Sequence, residues 1–256
     1  MKASTYQIPH ALFVVMACGA SVSSAQELRP LSTDRPDTTE STHTVDAGHF
    51  QFEMEIAAWT RDGKYRDVSL GQLNSKIGLD DSTDLQVVTP FFTQVHNGEE
   101  GFGDLQVRLK RNLWGNDEGS TSMAVMPFIQ LPTSSGGLGS DKVEGGLIVP
   151  FAFDGPAGWS CAVMGELDVV ANADSDYHLV GLTSATASRA VTEQTAVFFE
   201  LVSVLSAESE SDWEAYFNTG ITWLVTPTWQ LDCGIRIGLT EASANYSPFL
   251  GMSMKF

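Results

Sequence analysis

Apolar and polar side chains alternate along most of this chain, and this alternation constrains the fold more than any other feature. In the first alternating segment, Gln51, Glu53 and Glu55 separate apolar residues. Successive side chains of a β-strand point to opposite faces, so this segment has one acidic and one apolar surface. The period of two continues to the C-terminus and predicts an all-β fold. The predicted apolar face of the first strand comprises Phe50, Phe52, Met54, Ile56 and Ala58.

Turn-forming segments divide the alternating region into twelve predicted strands. An even number of antiparallel strands, with about 9–11 residues needed to cross a bilayer, is typical of bacterial outer-membrane barrels. The predicted fold class is therefore all-β, a transmembrane antiparallel up-and-down β-barrel of about twelve strands. The predicted strands cover residues 49–58, 65–79, 83–95, 104–113, 120–131, 142–153, 159–170, 177–190, 194–205, 213–225, 229–239 and 248–256.

The connections between these strands alternate in length. The remaining links, of which the first lies near Arg61, are longer on average than the short ones. Outer-membrane barrels combine tight periplasmic turns with longer outer loops, so the alternation predicts which end faces the periplasm. All six tryptophans lie near predicted strand ends, as expected for interfacial aromatic girdles. The short links are predicted at residues 80–82, 115–119, 154–158, 191–193 and 226–228.

Four prolines, each followed by Phe, lie inside or at the edge of predicted strands and conflict with a closed barrel. Proline cannot donate to a β-ladder, and a closed barrel has no free edge at which this would be harmless. We therefore expect strand ends or bulges at these positions, or else shifted strand boundaries. The four residues are Pro90, Pro127, Pro150 and Pro248.

The N-terminus has the organisation of a secretory signal peptide. Lys2 supplies a positive charge, residues 11–20 form an apolar segment too short to span a bilayer, and Ala25 ends a cleavage site of small residues. A buried N-terminal helix and a lipoprotein signal at Cys18 are the alternatives. Three regions are predicted: a signal peptide at residues 1–25, a polar periplasmic or plug-like arm at residues 26–48, and an outer-membrane β-barrel at residues 49–256.

The C-terminus supports the same location. An alternating last segment ends on Phe256, which resembles the signal by which barrel-assembly machinery recognises its clients. An ordinary edge strand that stops here is the alternative. We expect Sec-dependent export to the cell outer membrane of a Gram-negative bacterium, with outer-membrane lipid, lipopolysaccharide and the barrel-assembly machinery as partners.

The charge excludes one class of partner. The sequence has 14 basic and 32 acidic residues and a net charge of −18. Nucleic-acid binding requires a basic surface for the phosphates, so no nucleic acid is expected as a partner. Beyond the predicted signal peptide the cysteines are Cys161 and Cys233. Both fall on the apolar face of their strands, which favours small lipid-facing or packed residues over a disulfide.

Most charged side chains of the strands fall on the face opposite the apolar one, and we expect that face to line the lumen. A basic side chain facing lipid costs about 2–4 kcal/mol at the bilayer midplane, so charges belong inside. A carboxylate-lined pore favours cations or neutral solutes over anions. Alternatively, the charges pair with one another and fill a narrow, plugged barrel. The predicted lumen-lining residues are Glu53, Glu55, Asp104, Arg108, Lys110, Glu144, Glu166, Asp168, Glu200, Asp232 and Arg236.

Several motifs resemble those of one family. The arm contains STDRPD at residues 32–37 and VDAG at residues 45–48, and GFGDL at residues 101–105 runs into an alternating strand. These resemble the "MetA-pathway of phenol degradation" family of transporter-like outer-membrane proteins. LPT at residues 131–133 resembles its turn motif, although the glycine is delayed to Gly136. The resemblance covers most of the chain and implies a porin-like barrel with a role in uptake of small organic compounds.

The arm motif is the most specific part of this resemblance. Asp34 and Arg35 have opposite charges and are followed by Pro36 and Asp37. If the arm folds into a small barrel, we expect Asp34 and Arg35 to join the charges of the lumen.

The sequence does not indicate an enzyme. His178 shares a strand face with Ser184 and Ser188, but neither serine lies in a recognisable nucleophile motif. No cluster has metal-ligand spacing, and no glycine-rich phosphate loop precedes a helix, so neither a metal nor a cofactor is predicted.

The predicted function is that of an outer-membrane porin-like transporter for small solutes, hydrophobic or aromatic ones among them. One alternative is a non-transporting structural or adhesive outer-membrane barrel. Another is a secreted, soluble β-sandwich. Fractionation separates the soluble protein from both barrels, and conductance separates the two barrels from each other.

Overall fold

The computed structural model describes residues 28–95, 98–172 and 176–256. The predicted signal peptide lies outside these residues and stays a prediction. Twelve strands form the wall, and a further two-residue strand, Glu100–Gly101, pairs with the end of the third. In chain order the wall strands are β1 (Phe50–Asp62), β2 (Tyr65–Asp80), β3 (Thr83–Gln94), β4 (Leu105–Trp114), β5 (Thr121–Leu131), β6 (Glu144–Asp154), β7 (Ser160–Ala171), β8 (Tyr177–Ala190), β9 (Thr195–Ser206), β10 (Glu214–Thr226), β11 (Trp229–Gly238) and β12 (Tyr246–Lys255).

Each wall strand pairs antiparallel with its neighbours in the chain, and β12 pairs with β1. At this closing seam Gln51 lies opposite Lys255, and Met54 lies opposite Met252. The sheet therefore closes on itself, and its backbone groups can be satisfied within a bilayer. The predicted twelve-stranded antiparallel barrel is confirmed, and most strand ends lie within two residues of their predicted positions.

Burial is inverted relative to a water-soluble β-protein. The outward-facing Leu201 is 57% exposed, whereas the inward-facing Glu53 and Glu200 are each 1% exposed and Lys110 is fully buried. Lipid tails are as apolar as leucine, so an outward leucine suits hydrocarbon. Charged groups inside a membrane protein, by contrast, face its interior and need partners. The chain thus spans a membrane with its strands.

The alternation of β1 changes at a β-bulge. Its pairing with β12 passes directly from Glu55 to Ala57, so Ile56 is the extra residue. The prediction that Ala58 lies on the same face as the apolar residues before it is therefore wrong. Ala58 is 6% exposed and packs inside the barrel in a cluster with Phe249.

Each of the four strand prolines lies where the ladder to one neighbouring strand is interrupted. The β3–β4 ladder ends at Val88, two residues before Pro90. The β4–β5 ladder skips Pro127, and the β5–β6 ladder skips Pro150. The β1–β12 ladder likewise skips Pro248. Because proline has no N–H group, it is tolerated where no ladder bond is required. This removes the apparent conflict with a closed barrel.

The two ends of the barrel differ. At the turn end, where β1 begins and β12 ends, the links span residues 81–82, 115–120, 155–159, 191–194 and 227–228. At the loop end the links are longer on average, but only residues 63–64 join β1 to β2, and the link at residues 172–176 is no longer than the one at residues 155–159. That first link is shorter than predicted, and the others follow the predicted alternation.

Asp104, a predicted lumen residue, organises the longest link at the loop end. Its Oδ1 accepts hydrogen bonds from the backbone N–H groups of Thr133 and Ser134, both at 2.8 Å. Its Oδ2 accepts one from the backbone N–H of Ser140, also at 2.8 Å. One buried carboxylate therefore holds three positions of the segment at residues 132–143.

The described residues contain no helix that is long and apolar enough to cross a membrane. Pro156–Gly158 forms a single turn of 3₁₀-helix in the β6–β7 link.

Candidate functional site

Residues 28–49, which we call the arm, enter the barrel at the turn end, pass through the lumen and return to the turn end. Near the start of the arm, the Arg29 guanidinium donates to Asp117 Oδ1 at 2.6 Å and to the backbone oxygen of Asp81 at 2.7 Å. Near its end, Asp46 Oδ2 accepts a hydrogen bond from Lys255 Nζ at 3.1 Å, and Lys255 also donates to the Arg29 carbonyl. Both ends of the arm are thus fastened to the same end of the barrel.

A buried cluster of charges holds the first half of the arm. The Asp34 carboxylate forms ion pairs with Lys76 of β2 and Lys110 of β4, and Lys76 also pairs with Glu53 of β1. Glu53 Oε2 accepts hydrogen bonds from the backbone N–H groups of Asp34 and Arg35, at 2.9 and 3.0 Å. Lys76 is 3% exposed. These charges are shielded from water, and each therefore depends on its partners.

Arg35, the next residue of the arm, pairs with carboxylates of β11 and β1. Its Nη2 lies 2.8 Å from Asp232 Oδ1, and its Nη1 lies 3.5 Å from Glu55 Oε2. Arg236 Nη2 donates to the same Glu55 oxygen at 2.8 Å. The guanidinium carbons of Arg35 and Arg236 lie 5.7 and 4.5 Å from the centre of the Phe249 ring. Two guanidinium groups therefore cover one aromatic ring inside the lumen.

Glu200 of β9 holds the innermost part of the arm without an ion pair from the arm. Its two oxygens accept hydrogen bonds from the backbone N–H groups of Thr38 and Thr39, at 2.8 and 2.7 Å. The Thr39 hydroxyl donates to Glu200 at 2.6 Å, and Asn218 Nδ2 donates at 2.7 Å. Four donors thus satisfy a carboxylate that is almost fully buried.

The returning half of the arm bonds to the wall through one ion pair besides the one between Asp46 and Lys255, and otherwise through hydrogen bonds. Arg108 Nη1 donates to Glu40 Oε1 at 2.6 Å. Thr42 Oγ1 lies 2.6 Å from Ser122 Oγ. The backbone N–H of Val45 donates to Asp84 Oδ2 at 3.0 Å. In the part of the chain that the structure describes, hydrogen bonds or ion pairs from the arm reach every wall strand except β6.

Two carboxyl groups of the arm are shifted in opposite directions. Burial alone would raise the pKa of Asp34, but the ammonium groups of Lys110 and Lys76 outweigh burial and hold that pKa well below 3.8. Among the residues that the structure describes, no ammonium or guanidinium group lowers the pKa of Asp37 in this way. Burial, followed by the nearby Glu200 carboxylate, raises the pKa of Asp37 from 3.8 to about 7.

The arm separates two cavities, each of about 290 Å³. The cavity on the loop-end side has a charged lining that includes Glu55, Arg108 and Arg236. The cavity on the turn-end side is lined mainly by hydroxyl groups, such as that of Ser188, and by apolar groups, such as the ring of Phe198. Arm residues 35–37 line both cavities. The arm is therefore the partition between two chemically different compartments.

The structure brings together some of the residues that we predict to line the lumen and leaves others apart. Glu53, Glu55, Arg108, Lys110, Glu200, Asp232 and Arg236 surround the arm. Glu166 and Asp168 of β7 lie close enough to Arg108 for its charge to act on both, and Glu40 of the arm acts on Glu166. Glu144 of β6 instead accepts hydrogen bonds from Gln130 and from the backbone N–H of Ala171. Asp168 lies opposite Gly146, where an added Cβ would approach Asp168 Oδ1 to 2.3 Å. Glycine therefore leaves room for this carboxylate.

His178 and the serines on its strand face do not form a catalytic pair. Ser184 is six residues from His178 along β8, which corresponds to about 20 Å at the usual rise of a strand. Ser188 is farther away. His178 Nδ1 instead lies against Asn172 Oδ1, and Ser184 Oγ lies 2.7 Å from Thr39 Oγ1.

Metal and thiol chemistry find little support in the described ranges. No group of three or more His, Cys, Asp or Glu side chains there could hold a metal ion. Cys161 of β7 and Cys233 of β11 are both free thiols.

Several residues that hold the arm are not among those predicted from the sequence. Lys76, Asp84, Asn218 and Lys255 all point into the lumen, and strand alternation alone could have placed them there. The hydroxyl groups of the arm, such as that of Thr39, have no comparable signal. Their partners depend on the path of the arm through the lumen, which the sequence does not specify.

Comparisons with known proteins agree with this architecture. The COG4313 outer membrane channel from Pseudomonas putida F1 superposes with a TM-score of 0.69 at 15% identity, over 84% of this chain and 98% of the channel. The NanC porin superposes with a TM-score of 0.60 at 9% identity, over 81% of this chain and all of the porin. None of the curated proteins matches the sequence.

These structural similarities establish the fold, an outer-membrane β-barrel. The family model described as "MetA-pathway of phenol degradation" matches residues 33–256, which includes the arm motif as well as the whole barrel. The chain belongs to the MetA-pathway of phenol degradation family of outer-membrane proteins.

Proposed function

We propose that this protein is an outer-membrane channel for small solutes and that its arm is a plug that restricts the pore. One observation carries the proposal: a segment with no regular secondary structure crosses the lumen and separates two cavities. A barrel with only a structural role gains its stability from its wall. Two cavities on either side of a removable partition are instead the expected organisation of a regulated pore.

The solutes that we propose are small, and hydrophobic or aromatic compounds are among them. The family name points to the degradation of phenols, and the structural relatives are described as a channel and a porin. The carboxyl groups of β6 and β7, Glu144, Glu166 and Asp168, favour neutral or cationic solutes over anions. The carboxylates of Glu53, Glu55 and Asp232 instead form the ion pairs and hydrogen bonds that hold the arm.

Several features follow from this location and belong to the same proposal. Residues 1–25 would direct Sec-dependent export, and Phe256 would be read by the barrel-assembly machinery. The acidic links at the loop end, such as Glu208–Asp212, would meet lipopolysaccharide through divalent ions. We propose no enzymatic activity, because His178 and the serines on its strand are not within reach of one another.

A second candidate function is that of a closed, non-transporting barrel. The observation in its favour is that bonds from the arm reach nearly all strands, which makes the arm a structural filler as well as a partition. The two candidates differ in what removal of the arm produces.

The test is single-channel recording in planar bilayers, with the full-length protein and with a variant that lacks residues 31–46. We expect steady cation-selective current steps, and larger steps in the deletion variant because the partition has been removed. Heat-modifiable migration in gels would verify that both proteins are folded. Folded protein that conducts in neither form would contradict the channel and leave the closed barrel.

A further inference from the structure

The cavity on the loop-end side of the arm, which we call the loop-end cavity, is lined by two residues with unsatisfied oxygen atoms. The atoms are Glu40 Oε2 of the arm and Asn74 Oδ1 of β2, and both are shielded from solvent. Among the residues that the structure describes, no donor reaches either oxygen. Buried polar atoms in folded proteins nearly always have a partner, so two exceptions at one cavity indicate that it binds something that donates hydrogen bonds.

A chain of hydrogen bonds fixes the orientation of the Asn74 amide. Gln86 Nε2 donates to Asp84 Oδ1 at 2.9 Å, so the amide oxygen of Gln86 is turned toward Asn74. Asn74 Nδ2 donates to that oxygen at 3.0 Å, which leaves Asn74 Oδ1 as the atom without a partner. Because an ionised carboxylate cannot donate, the order of donors and acceptors along this chain has one solution. Asn74 therefore offers an acceptor to a ligand.

The negative charge of Glu40 is balanced only in part by the nearby cation. Glu40 Oε1 accepts a hydrogen bond from Arg108 Nη1 at 2.6 Å, but the charge of Arg108 also acts on Glu166 and Asp168 of β7. Burial, followed by the Asp34 carboxylate, raises the pKa of Glu40 from 4.5 to about 7. This part of the lumen therefore favours an additional positive charge.

Val88 of β3 adds an apolar surface to the same cavity. It lies opposite Asn74 of β2 on one side and opposite Gln106 of β4 on the other. Val88 is 6% exposed, and its side chain is the apolar neighbour of a ligand that reaches Asn74. The cavity has about 290 Å³, just below the usual range of about 300–1,000 Å³ for ligand sites, which restricts the ligand to a small molecule.

The chemical class of the ligand follows from these groups. Two acceptors require donors, which disfavours an anion, and the arginines of the lining are already paired with carboxylates. The described residues contain no group of three or more His, Cys, Asp or Glu side chains that could hold a metal ion. An alkylammonium ion has both the N–H donors and the positive charge. The pairs that occupy the arginines are Arg35 with Asp232, Arg108 with Glu40 and Arg236 with Glu55.

From these observations we infer that the loop-end cavity binds small aliphatic amines in their ammonium form, with Glu40 Oε2 and Asn74 Oδ1 as hydrogen-bond acceptors and Val88 as the contact of the alkyl chain. This inference rests on the proposed channel function and names one class of solute for it. Because Glu40 belongs to the arm and Asn74 to the wall, the bound amine contacts both the plug and the barrel.

Calorimetric titration of the purified full-length protein in detergent tests the site independently of conduction. The probe is n-propylammonium chloride at pH 8, where most of Glu40 is ionised, with 1-propanol and sodium propionate as uncharged and anionic analogues. We expect saturable binding of propylammonium and of neither analogue. Glu40→Gln and Asn74→Leu should each weaken this binding about tenfold, because each removes an acceptor for a charged donor.

Glu214→Gln is the matched control. Glu214 begins β10 at the loop end, accepts a hydrogen bond from the Tyr216 hydroxyl and does not line the loop-end cavity. This variant removes the same charge as Glu40→Gln and should leave propylammonium binding unchanged. Heat-modifiable migration in gels verifies that each variant is folded before it is titrated.

The outcomes separate the site from the channel. Equal binding of propylammonium and 1-propanol, or binding that both Glu40→Gln and Asn74→Leu retain in full, would overturn the site and leave water as the partner of the two oxygens. Propylammonium binding by a folded protein that carries no current would support the site and refute the channel. If the parent conducts, propylammonium should interrupt its potassium chloride current and that of Glu214→Gln, but much less that of Glu40→Gln.

Discussion

The inner wall of this barrel has two unlike halves. Strands β1–β4 and β11 present Glu53, Lys76, Lys110 and Asp232, which grip the first half of the arm through ion pairs. Strands β5–β7 present the buried apolar side chains of Met126, Ile148 and Met164, and they reach the arm through weaker bonds between Ser122 and Thr42 and between Met164 and the backbone of Glu40. The comparison teaches that the ion pairs of the plug are concentrated on one side of the lumen, whereas hydrogen bonds hold it elsewhere.

The largest expected effect comes from removing the centre of the charged half. Asp34→Ala would leave Lys110 buried without its ion-pair partner and weaken the hold on Lys76. Breaking a buried ion pair by removing one partner costs about 3–5 kcal/mol. We expect the arm to leave the lumen, which would be seen as larger current steps and as cleavage of the arm by added protease. Unchanged current in folded protein would show that the ion pairs do not retain the arm.

A smaller loss is expected at Glu200 of β9, which lies outside both groups of strands and holds the arm through hydrogen bonds. Glu200→Gln keeps the shape but turns a charged acceptor of four hydrogen bonds into a neutral amide with only one acceptor oxygen. Hydrogen bonds to charged groups contribute about 1.5–3 kcal/mol each, and the remaining oxygen can keep two of the four in weaker form. We expect frequent brief openings in single-channel records, with the fully open level unchanged. A record identical to that of the parent would contradict a retaining role for Glu200.

The dependence of the plug on pH follows from Asp37. The pKa of Asp37 is raised to about 7 in the docked arm, above the 3.8 of the free carboxyl, so the docked arm binds the proton more tightly. Docking should therefore strengthen as the pH falls from about 7 towards 4, by at most about tenfold per pH unit for this group. Current should be lower at pH 5 than at pH 8. Asp37→Asn should reduce this dependence and leave the part due to Glu40 of the arm, because burial, followed by the Asp34 carboxylate, also raises the pKa of Glu40, from 4.5 to about 7. A current that rises on acidification in this range would reverse the assigned sign.

The smallest effect is expected in the hydroxyl contacts of strands β5–β7. Thr42→Val removes the hydrogen bond to Ser122 and keeps the side-chain shape, at a cost of about 1 kcal/mol. We expect a slight increase in the frequency of openings, well below that of Asp34→Ala. If Thr42→Val matched Asp34→Ala, the two halves would hold the arm equally and the contrast between them would be lost.

Much of the wall could be predicted from sequence, because strand alternation is a local property. The positions of Glu53, Lys110 and Asp232 on the inner face follow from their places in strands. The bulge at Ile56 could not be predicted, since one inserted residue reverses the faces only when a partner strand is present to define the pairing. It was this reversal that brought Ala58 inside.

The path of the arm could be predicted only in outline. Asp34 and Arg35 stand out as a charged pair in a polar segment, and a lumen full of carboxylates suggests where they belong. Which carboxylates they meet is a different matter, because Arg35 and Asp232 are separated by 197 residues of sequence. Contacts of that range depend on the closed circumference of the barrel, which no local pattern reports.

Lys255 connects the two extremities of the described chain. It belongs to the last strand, yet it donates to the carbonyl of Arg29, 226 residues earlier. Contacts between such distant segments form late in folding, since the intervening chain must first be ordered. The strand that seals the cylinder thus also locks the base of the arm. If the last strand paired with β1 in a shifted register, Asp46 would lose its bond to Lys255. The contact between the arm and Lys255 therefore favours the correct register at the closing seam.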